Sequence, residues 1–346
     1  FFQAEDGIRD PLWSRGLGDV YKRQSSHLVG SPSVWVVSWR TMEYSTTAIE
    51  SNGRGTLATV NAFVMLTKPR IIELLLITTV PSMILAHGGM PRLSLVVITI
   101  VGGALAAGGA NTFNMYIDRD IDRLMERTQG RPLVTGAITP RSALLFGIAL
   151  EVVAFVLFYL FVNWLSAVLA LGACLFYVFV YSLWLKRTSK QNIVIGGAAG
   201  AAPALIGWAA VTGSLGLNPI ILFAIVFFWT PPHFWALAIK YADQYEAASV
   251  PMLPVVTSIK ATATRMVIYT VVIFGLSIWF HVAADMGFVY LSVALIGGLV
   301  FLWRTLGLLR KPTSVQAMKV FVYSNVYLGA LFIAMAIDVL TYGTTS

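Results

Sequence analysis

The sequence predicts an all-α, polytopic membrane bundle of nine transmembrane helices, with an active site at its cytoplasmic side. Three observations carry the prediction. The mean hydropathy is +0.76, with 57% hydrophobic residues and only 12% charged ones. Apolar runs recur along the 346 residues, each near the ~20 helical residues that cross a hydrocarbon core of about 30 Å. The charges gather in the loops between the runs, and they are heavily biased to one side.

The chain in order supports this. Residues 1–24 show no periodicity, no signal-peptide core and no apolar run. They look like translated sequencing-adapter sequence and are expected to be a non-native leader, outside the fold. Residues 25–60 are polar and rich in Ser, Thr and Gly, which predicts a disordered lead-in, with Met42 a candidate natural start. The membrane domain spans 61–342. Its nine predicted spans are 71–87, 93–117, 143–162, 165–185, 193–212, 219–239, 267–284, 287–303 and 320–340. The sixth contains Pro231-Pro232, where a kink or local unwinding is expected. Arg119, Arg123, Arg127, Arg131 and Arg141 follow the second span. Lys186, Arg187 and Lys190 follow the fourth, Lys240, Lys260 and Arg265 the sixth, and Arg304, Arg310, Lys311 and Lys319 the eighth. The opposite loops hold only Arg92. This asymmetry puts the basic side and the N-terminus in the cytoplasm and the C-terminus outside, as in a multi-pass protein of the cell (inner or plasma) membrane.

The net charge of +8 is spread over these loops without forming a patch, so topology explains it and nucleic acid does not. Cys174, the one cysteine, lies in an apolar run and reads as a core thiol.

Chemistry concentrates at Asn114, Asp118 and Asp122. Spaced i, i+4, i+8, they share one helical face at the cytoplasmic end of the second span, with Glu126 extending the row. Like charges in a row call for a metal, a phosphate-bound metal or basic side chains among them. Two further polar groups emerge on the same side. One is Lys240, Asp243, Gln244 and Tyr245 after the sixth span; the other is Lys186, Arg187 and Asn192 after the fourth. Carboxylates facing several cations at a membrane boundary suit a diphosphate. Magnesium takes one or two carboxylates and completes its shell with water and phosphate oxygens. Asp118, Asp122 and Asp243 would hold it, Lys and Arg would meet the remaining oxygens, and apolar helices would hold a prenyl tail. Glu73 and Glu151 are single acids inside or near spans, and each reads as hydrogen-bonded in a buried pair or as facing the interface, with a functional acid the alternative. His233 reads as a packing histidine or a haem-side residue.

The row Asn114-x-x-x-Asp118-x-x-x-Asp122 resembles the first aspartate-rich motif of the UbiA superfamily of intramembrane prenyltransferases. Leu66-Thr67-Lys68-Pro69-Arg70, Gln191-Asn192-Ile193-Val194-Ile195-Gly196-Gly197 and Trp229-Thr230-Pro231-Pro232-His233-Phe234-Trp235 are similar to its haem-modifying branch, as is Pro251-Met252-Leu253-Pro254. The resemblance covers about 60–340. It implies nine helices around a central cavity, Mg2+ as cofactor, farnesyl diphosphate as donor, and a haem B vinyl group as acceptor. Haem B is thereby substrate, not cofactor, and the product is haem O, passed on to a haem A synthase or an oxidase assembly factor. Asn114, Asp118 and Asp122 would hold the metal–diphosphate, with Asp243 opposite. Arg70, Arg131, Lys186, Arg187 and Lys240 would contact the diphosphate, Asp118, Asp122, Lys186, Lys240 and Asp243 being the catalytic set. Lys68, Asn192, His233 and Tyr245 would stand on the substrate side. The chain departs from the pattern at Gln244, where an aspartate is usual, so that either Asp243 serves instead or the second site binds metal less well. Ser249 replaces a common glycine. The rival readings are a UbiA-type enzyme that prenylates an aromatic quinone precursor, and a membrane transporter.

Overall fold

The computed structural model describes residues 55–342, apart from the side chains of 70–76. The leader 1–24, most of the segment 25–60, and the Arg70 and Glu73 side chains lie outside the described residues. All regular structure among the described residues is helical. The long elements are α1 (Thr56–Thr67), α2 (Pro69–His87) and α3 (Leu93–Ile117). After the short α4 (Arg119–Leu124) come α5 (Pro140–Phe161), α6 (Trp164–Thr188), α7 (Asn192–Thr212) and α8 (Leu217–Lys240). The short α9 (Ala242–Ala247) and α10 (Leu253–Val256) lead to α11 (Ile259–Ala283), α12 (Phe288–Arg310) and α13 (Ser314–Tyr342).

Among the described residues, 8 helices are long and apolar enough to cross a membrane: α3, α5, α6, α7, α8, α11, α12 and α13. The first predicted span falls in α2, whose apolar part is counted over Ile77–His87. Leu160, Phe161, Phe179, Ile268 and Ile296 are exposed on the outer faces, where a bilayer rather than water is the compatible solvent.

The ends of the helices follow from local chemistry. The Ser142 N–H donates to Thr139 Oγ1 (3.1 Å) ahead of α5, with Pro140 at its first turn. The Ser166 N–H donates to Asn163 Oδ1 (2.8 Å) ahead of α6. Both caps satisfy amides that hydrocarbon cannot. Two expectations are corrected here. The end of the segment 25–60 is helical, because Ala62 and Leu66 of α1 are buried against Met115, Leu133, Ile138 and Ala143. The local unwinding offered for Pro231-Pro232 does not occur, since α8 stays helical through both prolines. Trp229 to His233 are all buried between α7, α11 and α13, and that packing holds the helix where two N–H groups are missing.

The long helices close a ring. Each of α2, α3, α5, α6, α7, α8, α11, α12 and α13 packs on the next, and α13 packs back on α2. Close approach is set by small residues. A Cβ on Gly207 of α7 would lie 2.5 Å from the Thr79 carbonyl oxygen of α2, so these two backbones touch. Within the ring a cavity opens between α2, α3, α6, α7 and α8, and the ends of α3, α6 and α8 with the starts of α2 and α7 bring the polar residues to one end of it.

Candidate active site

The row forms, but the helix does not carry it far. Helix α3 ends at Ile117, Asp118 caps it, and α4 supplies Asp122 before Met125 turns extended. Asn114, Asp118 and Asp122 are therefore gathered and buried at 3%, 0% and 3% exposure. Glu126, past the break, is exposed and does not extend the row.

Each acid has a basic partner. Lys186, at the end of α6, donates to Asp118 Oδ2 in a short ion pair. Asn114 Nδ2 donates to the same oxygen at 2.7 Å and to Ser182 Oγ at 3.2 Å. Arg131 pairs with Asp122 at 2.6 Å. Lys68 Nζ donates to Asn114 Oδ1 at 2.9 Å. Lys68 reaches in because its own backbone is left-handed (φ 51), turning the chain between α1 and α2. Asn111 Nδ2 holds that bend through the Thr67 carbonyl at 3.1 Å. Burial first, then the charges of Arg131 and Lys186, bring the Lys68 amine down to about 7. Burial likewise raises the Asp122 carboxyl against the pull of Arg131.

These residues form the polar end of a cavity of about 420 Å³. Lys68, Asn114, Asp122, Arg127, Arg131 and Lys186 line it, together with Tyr177, Tyr181 and Tyr245. Its far wall is Gly103, Ala106, Ala107, Ala110, Ala170, Ala173, Gly200 and Ala202. One end is thus an excess of cations around two carboxylates. The rest is an apolar tunnel, left open because the residues of this wall are too small to fill it.

The other predicted residues divide. Tyr245 lines the cavity and accepts a bond from Arg127 Nη2 at 3.0 Å. Asn192 is fully buried, with neither amide atom bonded among the described residues. Asp243 is exposed and is not on the cavity wall, whereas Gln244 Oε1 is buried and unpartnered among the described residues. Lys240 is exposed, its ammonium 5.2 Å from the Tyr241 ring centroid. Arg187 is committed to Asp120 through two bonds of 2.7 Å and to the Ile117 carbonyl at 3.0 Å. That guanidinium holds the Asp120 carboxyl well below the usual carboxylate range. His233 faces α13: Ser324 Oγ, which donates to the Phe321 carbonyl (2.7 Å), lies 2.7 Å from His233 Nδ1, and the ring is sandwiched by Trp229 and Phe321. Glu151 is buried against Gly109, beside Cys174. Arg127, Tyr177 and Tyr181 are the cavity residues the sequence reading passed over. The i, i+4 tyrosine pair in an aromatic run was their available signal.

A metal fits this donor set. Asp118 Oδ1 is buried without a hydrogen-bond partner, beside an amide and a second carboxylate. Among the described residues no three His, Cys, Asp or Glu side chains converge as a metal site. The fit is therefore to a hard cation that takes few protein oxygens and finds the others on its ligand.

Residues 75–335 match the model of the UbiA prenyltransferase family. The chain is 54% identical over 287 residues to the protoheme IX farnesyltransferase of Streptomyces avermitilis, covering 81% of this chain and 94% of that one. With the protoheme IX farnesyltransferase of Cutibacterium acnes it shares 47% over 333 residues, 94% of this chain and 98% of the relative. A structure of digeranylgeranylglyceryl phosphate synthase superposes with a TM-score of 0.69 at 18% identity, over 82% of this chain and 99% of that one. A UbiA homolog from Archaeoglobus fulgidus bound to GPP and Mg2+ superposes at 0.56 and 18%, over 79% and 99%. The matched span holds the carboxylate row, its partners Arg131 and Lys186 and the apolar part of the cavity, and the chain belongs to the UbiA prenyltransferase family.

Proposed function

We propose that the protein transfers the farnesyl group of farnesyl diphosphate to a vinyl group of haem B, releasing diphosphate and giving haem O. The observation that carries the reading is one cavity with a cationic end and a small-residue apolar tunnel, in a chain about half identical to protoheme IX farnesyltransferases. Lys68, Arg127, Arg131 and Lys186 bind the diphosphate oxygens. Asn114, Asp118 and Asp122 hold Mg2+, which neutralises charge on the leaving diphosphate; the A. fulgidus homolog bound to GPP and Mg2+ supports this assignment. Lys186 and Arg131 are each already paired with a row carboxylate, so the ligand enters a pre-set charge lattice at little reorganisation cost. The C1–O bond breaks and the electron pair leaves with the diphosphate. The vinyl carbon of haem attacks the allylic cation, a water oxygen captures the new cation, and one proton is released. The alanine and glycine walls keep other water from the allylic carbons. The multi-pass chain lies in the cell membrane with this end on the cytoplasmic side.

The test is the purified chain in lipid nanodiscs with haem B, farnesyl diphosphate and Mg2+, read for haem O by mass and absorption. Product from 4-hydroxybenzoate and a polyprenyl diphosphate, with none from haem, would sink the reading. Asp118→Asn is expected to lower the transfer rate by about 10²–10³-fold, as for loss of one preorganised charge-stabilising group.

A further inference from the structure

Helix α6 is α-helical to Leu175 and then widens to π-helical turns from Phe176 to Leu185. Such wide turns in a helix concentrate at functional sites. Here they shift Tyr177 and Tyr181 into register, ring centroids 5.2 Å apart and planes within 22°. Both rings line the cavity. They stand between its two halves: Asp118, Asp122 and Arg131 are the charged neighbours of the Tyr177 hydroxyl, and Ala173 and Cys174 of the tunnel lie one turn farther along the helix. Packing on α7 fixes the second ring. A Cβ on Gly196 would lie 2.3 Å from Tyr181 Cδ2, so that ring rests directly on the α7 backbone.

We propose that the stacked Tyr177–Tyr181 pair is the surface against which the allylic cation forms. The inference rests on the prenyl-transfer reading above. When the C1–O bond breaks, positive charge spreads over C1 and C3 of the prenyl chain while the diphosphate stays among the cations. The charged carbons then lie just inside the polar end, beside the two rings. An aromatic face attracts a desolvated cation through its quadrupole, and this attraction grows only as the charge develops. Carboxylates would do this less safely, because an oxygen anion at that place captures the cation covalently. Tyrosine rings stabilise it and do not trap it.

The test uses the full chain in nanodiscs and follows diphosphate release from farnesyl diphosphate with and without haem B. Binding is read separately as the Kd of farnesyl thiolodiphosphate, which ionises slowly. Tyr177→Leu and Tyr181→Leu are expected to lower kcat by about 10- to 30-fold each, the rate equivalent of one desolvated cation–π contact. The Kd is expected to stay within about twofold, and Tyr177→Phe and Tyr181→Phe to keep kcat within about threefold of the parent chain. Leucine variants with unchanged kcat would overturn the proposal. So would a loss of thiolodiphosphate binding that matches the loss in rate, or phenylalanine variants as damaged as the leucine ones, which would move the role to the hydroxyls. Diphosphate release reports on the rings whichever acceptor the chain uses; a parent chain that releases diphosphate but makes no haem O overturns the haem reading alone.

Discussion

Helix α9 turns Asp243 to solvent and Gln244 inward, a difference of about 100° for one residue. The sequence pattern weighed Asp243 as the second acidic element because carboxylates are legible as letters and direction is not. Two outcomes follow. Asp243→Asn is expected to change the transfer rate by less than about threefold, as for an exposed charge. Gln244→Asp is expected to raise the Mg2+-dependent rate, and a side-by-side titration with Mg2+ checks both. Ser249 shows what the glycine common at that position is for: its φ is 53, a left-handed conformation that costs an L-residue about 1–2 kcal/mol. Ser249→Gly, at an exposed position, is expected to stabilise the fold by about 0.5–1 kcal/mol once the entropy of glycine is subtracted, read as a raised Tm in detergent. Arg187 and Asp120 are the opposite case. Arg187 is legible in the sequence as a diphosphate contact, yet it and Asp120 spend themselves on each other, fastening the end of α6 to the turn after α3.

At the scale of elements the apolar runs were almost sufficient, because hydrocarbon permits only helices of about 20 residues and punishes an unpaired amide. What the runs could not reveal was the state of the helix within a span. The wide turns of α6 and the uninterrupted α8 depend on neighbours: the α6 aromatic ring seated on Gly196, and the packing around Pro231 and Pro232. Contact between elements is also where a single methyl group tells. At Gly207 the obstructing atom is a backbone carbonyl, which cannot swing aside as a side chain can. Gly207→Ala is expected to cost about 1–3 kcal/mol by forcing α7 off α2, measured by unfolding in mixed micelles.

The whole molecule is a ring of helices, and nothing in a linear reading says which pair closes it. The loops predicted the common polar end correctly, since alternating spans return there, but the closure between α13 and α2 joins the two ends of the membrane domain. Helix α13 also fastens its neighbours. Asp338 accepts from the Tyr290 N–H at 2.8 Å and the Val289 N–H at 3.3 Å, capping α12, with Gly287 kept small beneath it. Asp338→Ala is expected to cost about 1–2 kcal/mol through loss of that cap, seen as a lower unfolding midpoint with the transfer kinetics of the surviving fold unchanged. The backbone carbonyl of Ser324 takes the Trp229 indole N–H at 2.8 Å and its hydroxyl meets His233, while Tyr327 meets Ser277 at 2.9 Å. All of these partners belong to helices synthesised earlier. Docking of α13 therefore supplies what those polar groups lack until it is in place. A chain lacking α13 would leave the Trp229 indole, His233 and the first amides of α12 without these partners in hydrocarbon, which offers them no others.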